Sequence, residues 1–469
     1  MAGALVIILS LGLCYGVTIA PDLTWAHFSA DGGDFISAAA TGGVPHPGGY
    51  PLYLLVARPF QRLPFGTLAF RTNLLSAVAT VLAALVLYRF LLDELARRGG
   101  AGFISIFGAL AFGLAPFVWG QALVTEVYAL QGLLVMVCLY TWRVEQPWPG
   151  EWVRGFVLGL AAANHLTAVL MFPLIFVSYQ RQSVAPVRMI VSRCLGILGG
   201  LSLYLLLPVR ASFNPPINWG NAATLDGFFW LLSGKLYAPY VFGLGWADML
   251  LRLRSFAGLL LEQFGWAGVL LGFYGLFSVP GRLMRAATLW LAGTALIFSV
   301  LYGASDSQVY LMPVWLAFAI WMAYGAQDLF ELLAGRRRFE FAAGVVLMTV
   351  LLMQVPGSLR QVDVSDDFRA RDFIEQTLAG VPTDALVFVA GDQQIFPLWY
   401  AQFGLGRRTD ILIVASGLLP YRWYLESLGH TYAGMHIPTG ERLLPGDLIG
   451  ANPGRVICYI SEGKALVCN

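Results

Sequence analysis

Long apolar runs recur along this chain and restrict it to a membrane-spanning fold. Hydrophobic residues make up 58% of its 469 residues and charged residues only 12%, and the mean hydropathy is +0.69. An apolar run of about 20 residues is long enough to cross a bilayer as a helix. The composition therefore predicts a polytopic α-helical membrane protein. The candidate spans lie at 2–20, 70–92, 101–122, 126–142, 152–179, 189–209, 255–279, 286–303, 309–327 and 341–356.

One of these runs, 152–179, is too long for a single straight helix. Asn164 and His165 interrupt it, and two short helices that meet at this polar pair would give roughly eleven spans in total. The first run lacks the basic residues of a signal peptide, so we expect a retained helix. A membrane domain over 1–356, with outer loops at 21–69 and 210–254, follows from this count.

Basic residues predict the orientation, because Lys and Arg accumulate in short cytoplasmic loops. Arg58, Arg62 and Arg71 break the pattern, and either an interfacial helix over Pro51–Leu63 or simple snorkelling accounts for them. We expect an integral protein of a bacterial inner membrane whose polar residues gather on the extracytoplasmic side. The basic residues on the cytoplasmic side under this count are Arg97, Arg98, Arg143, Arg181 to Arg193, Arg282, Arg285 and Arg336 to Arg338.

Charge separates the last part of the chain from the rest. The 113 residues of 357–469 hold 21 of the 56 charged residues, and their pattern predicts a small soluble α/β domain on the extracytoplasmic side. Its expected elements are a helix near 366–378, strands at 384–390 and 410–416, helices near 397–403 and from 421, and a final hairpin with its turn at 461–464. Cys458 and Cys468 flank that turn, either as a disulfide or as two reduced cysteines.

The net charge of +2 argues against nucleic acid as a partner, since phosphate backbones are bound by clustered basic residues. Only two lysines occur, Lys235 and Lys464. Polar residues in the soluble tail, namely Asp392, His430 and His436, are expected to be solvated surface groups. We expect the tail itself to recognise an acceptor or to cover the site.

A polar, turn-rich stretch follows the first span, DGGDFISAAATGGVPHPGGYPLY from Asp31 to Tyr53. Asp31 and Asp34 lie about one helical turn apart, so on a helix both carboxylates share a face and can act on one substrate. The alternative is that they cap or initiate that helix. His46 lies in a rigid proline turn and either donates a hydrogen bond to a phosphate or sugar, or is structural.

Further polar residues at membrane depth fall on the same predicted side, and such residues usually mark a site or a pathway. They suit transfer from a lipid-linked phosphate donor. An Arg or Lys would hold the phosphate, and a carboxylate would deprotonate an acceptor hydroxyl as it attacks the sugar. This chemistry requires no metal and no other cofactor. The converging residues are Glu126, His165, Arg210, Lys235 and Asp306.

Several motifs together resemble a family of membrane proteins in the GT-C glycosyltransferase superfamily, one branch of which is a eukaryotic protein O-mannosyltransferase. The resemblance covers nearly the whole chain. Two positions depart from the family pattern, Asp34 in place of Glu and Gly48 in place of a second Pro. The motifs are Asp31 to Tyr53, RTNLLSA at 71–77, TEVYAL at 125–130, ANHLT at 163–167, LPVR with NPPINWG at 207–220, and GDQQIFPLWY at 391–400.

The resemblance implies an inverting glycosyltransferase that uses a polyprenyl-phosphate sugar, with mannose favoured and a protein or glycan acceptor. It implies that Asp31 is the base and Asp34 a second carboxylate, and that Arg210 or Lys235 binds the phosphate. Trp219 either stacks on a sugar or anchors the membrane interface. The implied donor-binding residues are His46, Tyr50, Arg71, His165, Arg210 and Lys235, and the other pocket residues are Glu126, Tyr128, Asn164, Trp219 and Asp306.

A membrane transporter or lipid flippase is one alternative, and a membrane-anchored binding protein whose C-terminal tail does the work is another. Transporters typically place ionisable groups at the bilayer midplane between repeated halves. The sequence shows no internal repeat, and its polar groups gather on one side, which favours the transferase.

Overall fold

The protein is a helical membrane protein with one small soluble domain at its C-terminal end. The computed structural model describes residues 1–469 except 97, 144–147, 178–184, 333–336, 441, 462 and 464–465. Arg97, Arg181, Arg336 and, in the turn predicted at 461–464, residues 462 and 464 therefore lie outside the described residues. The N-terminal part begins with α1 (Ala2–Thr18), α2 (Gly32–Thr41), α3 (Pro51–Gln61), α4 (Leu68–Leu95), α5 (Ala101–Gly113), α6 (Pro116–Ala122), α7 (Tyr128–Arg143) and α8 (Trp148–Asn164).

The second half of the membrane part continues with longer helices. Pro356 lies inside the last of them, which ends at Val362 and so runs past the domain boundary predicted at 356. These helices are α9 (Pro186–Leu201), α10 (Leu206–Ala211), α11 (Leu225–Leu232), α12 (Trp246–Ser278), α13 (Arg282–Leu301), α14 (Met312–Leu332) and α15 (Arg337–Val362).

The apolar runs of the sequence all coincide with helices, but eleven spans are not confirmed. Within the described residues, six helices are long and apolar enough to cross a membrane, or seven if the bent pair α5 and α6 is one span. That pair bends by 68°, because Pro116 keeps the preceding residue Ala115 out of the helical region at ψ 127°. Helix α1, with 17 residues, is a shorter apolar helix.

The break predicted at Asn164 and His165 is present. Helix α8 ends at Asn164, His165 is extended at φ −153°, and a 3-10 segment, not an α-helix, follows over Leu166–Ile175. The Asn164 side chain donates to the carbonyl of Val127 at 3.2 Å and to Gln131 Oε1 at 2.9 Å. These bonds satisfy the side-chain N–H groups of Asn164, which a lipid environment otherwise penalises, whereas its Oδ1 atom has no hydrogen-bond partner among the described residues.

A second interruption lies inside α12. Gly265 has φ 62° and ψ 171°, a backbone conformation that favours glycine. Gln354 of α15 donates to the carbonyl of Phe264 at 3.3 Å. The neighbouring helix therefore supplies a partner to the backbone that the break exposes.

The C-terminal part is a small α/β domain, as the composition predicts. Its sheet has the order β2-β1-β3-β4, with β1 parallel to both β2 and β3, and β3 antiparallel to β4. Cys458 and Cys468 are joined by a disulfide across the final hairpin. The elements are α16 (Arg369–Gly380), β1 (Leu386–Val389), α17 (Asp392–Trp399), β2 (Leu412–Ala415), α18 (Arg422–Thr431), α19 (Pro445–Ala451), β3 (Ile457–Ile460) and β4 (Val467–Cys468).

Aromatic side chains join the C-terminal domain to the segment between α10 and α12. Trp219 packs against Phe396, Trp399 and Trp423, with ring centroids 5.7 to 6.3 Å apart. The C-terminal domain also contacts the segment after α1, where the hydroxyl group of Tyr400 donates a hydrogen bond to Asp22 at 2.9 Å. The soluble domain is thus packed on the end of the membrane part that carries the Asp31 to Tyr53 stretch.

Candidate active site

A cavity of about 940 Å³ lies where that stretch meets the C-terminal domain. Residues from widely separated parts of the chain line it. Of the residues predicted from sequence, it brings together Asp31, His46, Tyr50, Tyr128, His165 and Asp306. Other lining residues include Trp25, His27, Ser233, Gly234, Tyr237, Tyr240, Phe298, Tyr302, Tyr310, Asp392 and Gln393.

Asp31 faces this cavity from the N-terminus of α2. Its side chain makes no capping bond and is 37% exposed, so the capping alternative does not describe it. A turn over Ala26–Asp31 precedes it, in which His27 and Phe28 have positive φ values of 52° and 67°. Strained backbone of this kind persists only where surrounding contacts hold it, and the carbonyl of Val362 bonds His27 Nε2 at 2.8 Å.

Asp34 has a different environment, although it lies on the same helix. Its side chain is fully buried and does not line the cavity. Its Oδ2 atom accepts from the backbone N–H and the Nδ1–H of His46, at 2.9 and 2.8 Å. Its Oδ1 atom accepts from Trp219 Nε1 at 3.2 Å. Asp34 therefore holds His46 and Trp219, and it does not face the cavity as Asp31 does.

His46 lies between the two carboxylates. With Nδ1 directed to Asp34, its Nε2 atom lies 3.6 Å from Asp31 Oδ2. Burial disfavours the charged form of the ring and lowers the pKa of His46. The charge of Asp31, together with the hydrogen bond and charge of Asp34, outweighs this effect, so the pKa of His46 is raised. Burial raises the pKa of Asp31 to about 6, against the opposing charge of His46.

His165 lines the cavity at the break after α8, and its tautomer follows from its contacts. Its Nδ1 atom accepts the backbone N–H of Thr167 at 3.2 Å, so the ring proton is on Nε2. Among the described residues, none accepts a hydrogen bond from that Nε2–H. The ring packs against Tyr50, Tyr128 and Tyr310 at 5.6 to 5.8 Å. This part of the cavity therefore offers neutral hydrogen-bond donors.

The basic residues expected at a phosphate do not line the cavity. Arg210 donates to the carbonyl of Gly43 at 3.2 Å, and Arg71 donates to the carbonyls of Leu63 and Thr67 at 2.7 and 3.1 Å. Lys235 is exposed beside the lining residue Gly234. No Arg or Lys appears among the described residues that line the cavity. The guanidinium groups of Arg210 and Arg71 bind loop carbonyls instead. The spacing of residues in the sequence did not indicate these contacts.

Three other predicted pocket residues lie behind the cavity surface. Glu126 is 2% exposed, and its Oε1 atom has no hydrogen-bond partner in the described structure. Asn164 bonds within the helix break described above. Trp219 is 4% exposed and packs on the C-terminal domain, so it is neither a sugar platform on the cavity surface nor a membrane-interface anchor.

Sequence reasoning expected the C-terminal domain to recognise an acceptor or to cover the site, but it missed the two residues of that domain that line the cavity. Asp392 and Gln393 line the cavity, so Asp392 is not merely solvated surface, whereas His430 and His436 are exposed outside the cavity as expected. Burial raises the pKa of Asp392, as it does that of Asp306. A usable signal was present, because Asp392 follows the apolar strand β1, and ligands of α/β domains bind at the carboxyl ends of parallel strands.

Arg252 also escaped sequence reasoning. Its guanidinium group donates to the carbonyls of Tyr302 and Ala304, and its charge partly offsets the raised pKa of Asp306. It therefore supports the cavity segment at 302–306 from behind. In the described part of the chain, no three His, Cys, Asp or Glu side chains are grouped as a metal ion would require.

Two regions of the chain match models of a known protein family. Residues 31–187 match the family model described as the N-terminal domain of protein O-mannosyl-transferase TMEM260, and residues 370–440 match TMEM260-associated domain 2. The chain is similar to the TMEM260 O-mannosyl-transferases in these two regions. The matched regions contain both Asp31 and Asp392.

Two curated TMEM260 relatives show how far this similarity extends. Protein O-mannosyl-transferase TMEM260 of Mus musculus is 23% identical over all of this chain and 71% of its own length. The Dictyostelium discoideum protein of the same name is 22% identical over 90% of this chain. This alignment spans 58% of the Dictyostelium protein.

Solved structures show the fold. ArnT from Cupriavidus metallidurans, bound to undecaprenyl phosphate, aligns with a TM-score of 0.57 at 12% identity, over 97% of this chain and 92% of ArnT. The Archaeoglobus fulgidus oligosaccharyltransferase aligns with a TM-score of 0.56 at 12% identity, over 85% of this chain and 63% of its own. The predicted resemblance to GT-C glycosyltransferases is confirmed, and this TMEM260 relative is an integral membrane protein with their fold. Together these findings support a glycosyltransferase.

Proposed function

We propose that this protein transfers a sugar from a polyprenyl-phosphate donor to a hydroxyl group of an acceptor, with mannose as the sugar and a protein as the acceptor. The names of the TMEM260 relatives support the sugar and the acceptor. The undecaprenyl phosphate bound to ArnT supports a lipid-linked donor. The observation that carries the proposal is Asp31, a carboxylate open to a large cavity and held 3.6 Å from His46.

Asp31 acts as the general base in this proposal. Its carboxylate accepts the proton of the acceptor hydroxyl while the hydroxyl oxygen attacks the anomeric carbon of the sugar. The bond between that carbon and the phosphate oxygen breaks, and the electron pair leaves with the lipid phosphate. Attack from the face opposite the leaving group inverts the configuration at carbon. No metal or other cofactor takes part, and this feature remains a prediction.

His46 and Asp34 position the base. Asp34 fixes the ring through Nδ1, and the ring faces Asp31 through Nε2. A cationic ring beside Asp31 keeps the carboxylate from becoming too basic, so that it is ionised near neutral pH and still accepts a proton.

The donor phosphate is bound by neutral groups in this proposal, in place of Arg210 or Lys235. The Nε2–H of His165 and the hydroxyl groups of Tyr50, Tyr128 and Tyr310 offer donors at one part of the cavity. Hydrogen bonds to a charged oxygen are stronger than those between neutral groups. These four residues are therefore the proposed phosphate site.

A narrow apolar cleft next to this site supports a lipid donor. It shares Tyr128, Thr167, Leu170, Phe298 and Tyr310 with the cavity. It continues between the 3-10 segment over Leu166–Ile175 and helices α13 and α14, toward Leu291 and Pro313. The first isoprene units of a polyprenyl chain would lie there, with the rest of the chain among membrane lipids.

We further propose that the cavity and the C-terminal domain face the extracytoplasmic side of a bacterial inner membrane. The disulfide between Cys458 and Cys468 supports this side, because disulfides persist mainly in oxidising compartments. The bacterial origin is a separate hypothesis, since the two curated relatives are from a mouse and an amoeba.

The proposal is tested with purified protein, a polyprenyl-phosphate mannose whose sugar is radiolabelled, and a peptide with a single Thr. Asp31→Asn removes the base and nearly preserves the shape of the side chain. We expect peptide labelling to fall roughly 100- to 10,000-fold, while donor binding persists. Asp366→Asn is the matched control, because Asp366 is exposed in the C-terminal part. Undiminished labelling by Asp31→Asn would remove Asp31 from the base role.

The transporter or flippase alternative gives a different result in the same system. A flippase moves the intact lipid-linked sugar across vesicles and leaves the peptide unlabelled. Such movement without any labelled peptide from the wild-type protein would replace the glycosyltransferase proposal. Neither relative's name nor either solved structure points to transport.

A further inference from the structure

The C-terminal domain contributes its own polar groups to the cavity. Strand β1 ends at Val389, Gly391 follows with φ 95°, and Asp392 then begins α17. Asp392 and Gln393 line the cavity together with Asp31 and His46. The cavity is therefore not a feature of the membrane part alone.

The domain is held in this position by a close helix contact. A Cβ atom at Gly33 would lie 2.4 Å from the carbonyl oxygen of Phe396, so α17 packs directly on α2 between Asp31 and Asp34. The Phe396 ring stacks on His46 with centroids 6.5 Å apart. Asp392, which is four residues before Phe396, is thereby brought to the side of the cavity that holds Asp31.

The lining of the cavity varies in chemistry. Around His165 it offers neutral donors beside the apolar cleft, which suits a lipid phosphate. Asp31 and Asp392 are close enough for their charges to act on each other, and a phosphate placed between them would be repelled. Asp306 is a third carboxylate in the lining. Asp392 comes from the soluble domain, so we place the water-soluble acceptor beside it.

We propose that Asp392 determines acceptor specificity by binding a cationic or N–H group of a peptide beside the hydroxyl that Asp31 deprotonates. This inference rests on the proposed function and names the acceptor class. A carboxylate accepts hydrogen bonds from Lys, Arg and backbone N–H groups and repels Asp and Glu. Peptides with a basic residue next to the Thr are favoured, and peptides with an acidic residue there are rejected.

The test uses three synthetic peptides that differ only beside a single Thr, where they carry Lys, Gln or Glu. The donor is polyprenyl-phosphate mannose, and kcat/KM is measured for each peptide with the purified full-length protein. We expect the wild-type protein to favour the Lys over the Glu peptide by roughly tenfold, as for one charge-assisted hydrogen bond. Asp392→Asn should reduce this ratio to near one, and Asp392→Glu should restore much of it.

Asp366→Asn is the control for a lost charge outside the cavity and should keep the wild-type ratio. Donor binding by each variant, measured on the same preparations, identifies any that are misfolded. The inference would be overturned if Asp392→Asn had the same ratio of kcat/KM for the Lys and Glu peptides as the wild-type protein. Activity of Asp392→Glu shows that the position tolerates a change of side chain. No labelled peptide at all from the wild-type protein would instead count against the proposed function.

Discussion

At the scale of single residues, the two carboxylates of the Asp31 to Tyr53 stretch have separate tasks. Both are on α2, yet Asp31 is open to the cavity while Asp34 is buried and bonded to His46 and Trp219. Three of the roughly four acceptor positions of the Asp34 carboxylate are used within the protein, and its burial keeps it from the cavity, so its environment suits a positioning group. The environment of each residue, more than its type, defines its contribution.

The raised pKa of Asp31 predicts the pH dependence of transfer. The base works only when ionised, and its pKa is about 6, so the rate is full well above pH 6. Below pH 6, kcat/KM should fall about tenfold for each pH unit. The measurement is a pH profile of peptide labelling between pH 4.5 and 8. A rate that stays constant down to pH 4.5 would contradict this assignment.

Removing the charge at His46 should move that profile. The charge of His46 lowers the pKa of Asp31, so His46→Asn should raise this pKa. The acidic limb of the profile, which is the fall of kcat/KM at low pH, should then shift to higher pH. Asn keeps an N–H group for Asp34, which limits the structural change. His430→Asn, at an exposed histidine of the C-terminal domain, should leave the limb unchanged. An unshifted limb in His46→Asn would show that His46 does not influence the base.

At the scale of elements, the contact between α2 and α17 determines whether the cavity is complete. The absence of a side chain at Gly33 allows this contact, because a Cβ atom there would collide with the backbone of Phe396. The sequence displays Gly32 and Gly33 between two aspartates, where a helix was predicted to begin. Nothing in that stretch indicates that a distant helix packs on it, so only the structure identifies the contact.

Gly33→Ala tests this contact. The Cβ atom of the new alanine would lie 2.4 Å from the backbone oxygen of Phe396. Because backbone cannot move as easily as a side chain, we expect the free energy of unfolding to fall by about 1–3 kcal/mol. Transfer should fall too, because α17 carries Asp392. Gly258→Ala is the control, since nothing lies within 4 Å of its Cβ position. Thermal unfolding and peptide labelling measure both effects, and equal values for the two variants would argue against a tight contact.

At the scale of the whole molecule, hydropathy and charge predicted the fold class, but the predicted eleven spans are not confirmed and the geometry of the site was not predicted. The apolar runs, the break at Asn164 and the soluble domain could all be predicted, because burial in lipid or water depends on composition over many residues. The positions of Arg210 and Asp392 relative to the cavity could not be predicted in full. Each depends on one contact between distant segments, a loop carbonyl for Arg210 and the packing of α17 for Asp392. The place of Asp392 after strand β1 indicated a ligand site at the end of that strand, but not that this end meets the membrane part.

The proposed orientation of the whole molecule can be tested through its disulfide. In intact cells, a membrane-impermeant reductant followed by an impermeant maleimide should label Cys458 and Cys468 if the C-terminal domain lies outside. Cys458→Ser with Cys468→Ser should abolish that labelling and lower the stability of the domain by about 2–3 kcal/mol. Labelling that appears only after the cells are lysed would place the domain in the cytoplasm.

The packing of Phe396 on Gly33 also bears on how the protein is made. Residues near the start of the chain leave the ribosome and enter the membrane long before residues near 392 have been synthesised. In the proposed orientation, Asp31 faces an incomplete cavity until the late segment has crossed the bilayer, folded and docked. Under the proposed function, a partly synthesised copy would therefore lack the complete site for sugar transfer.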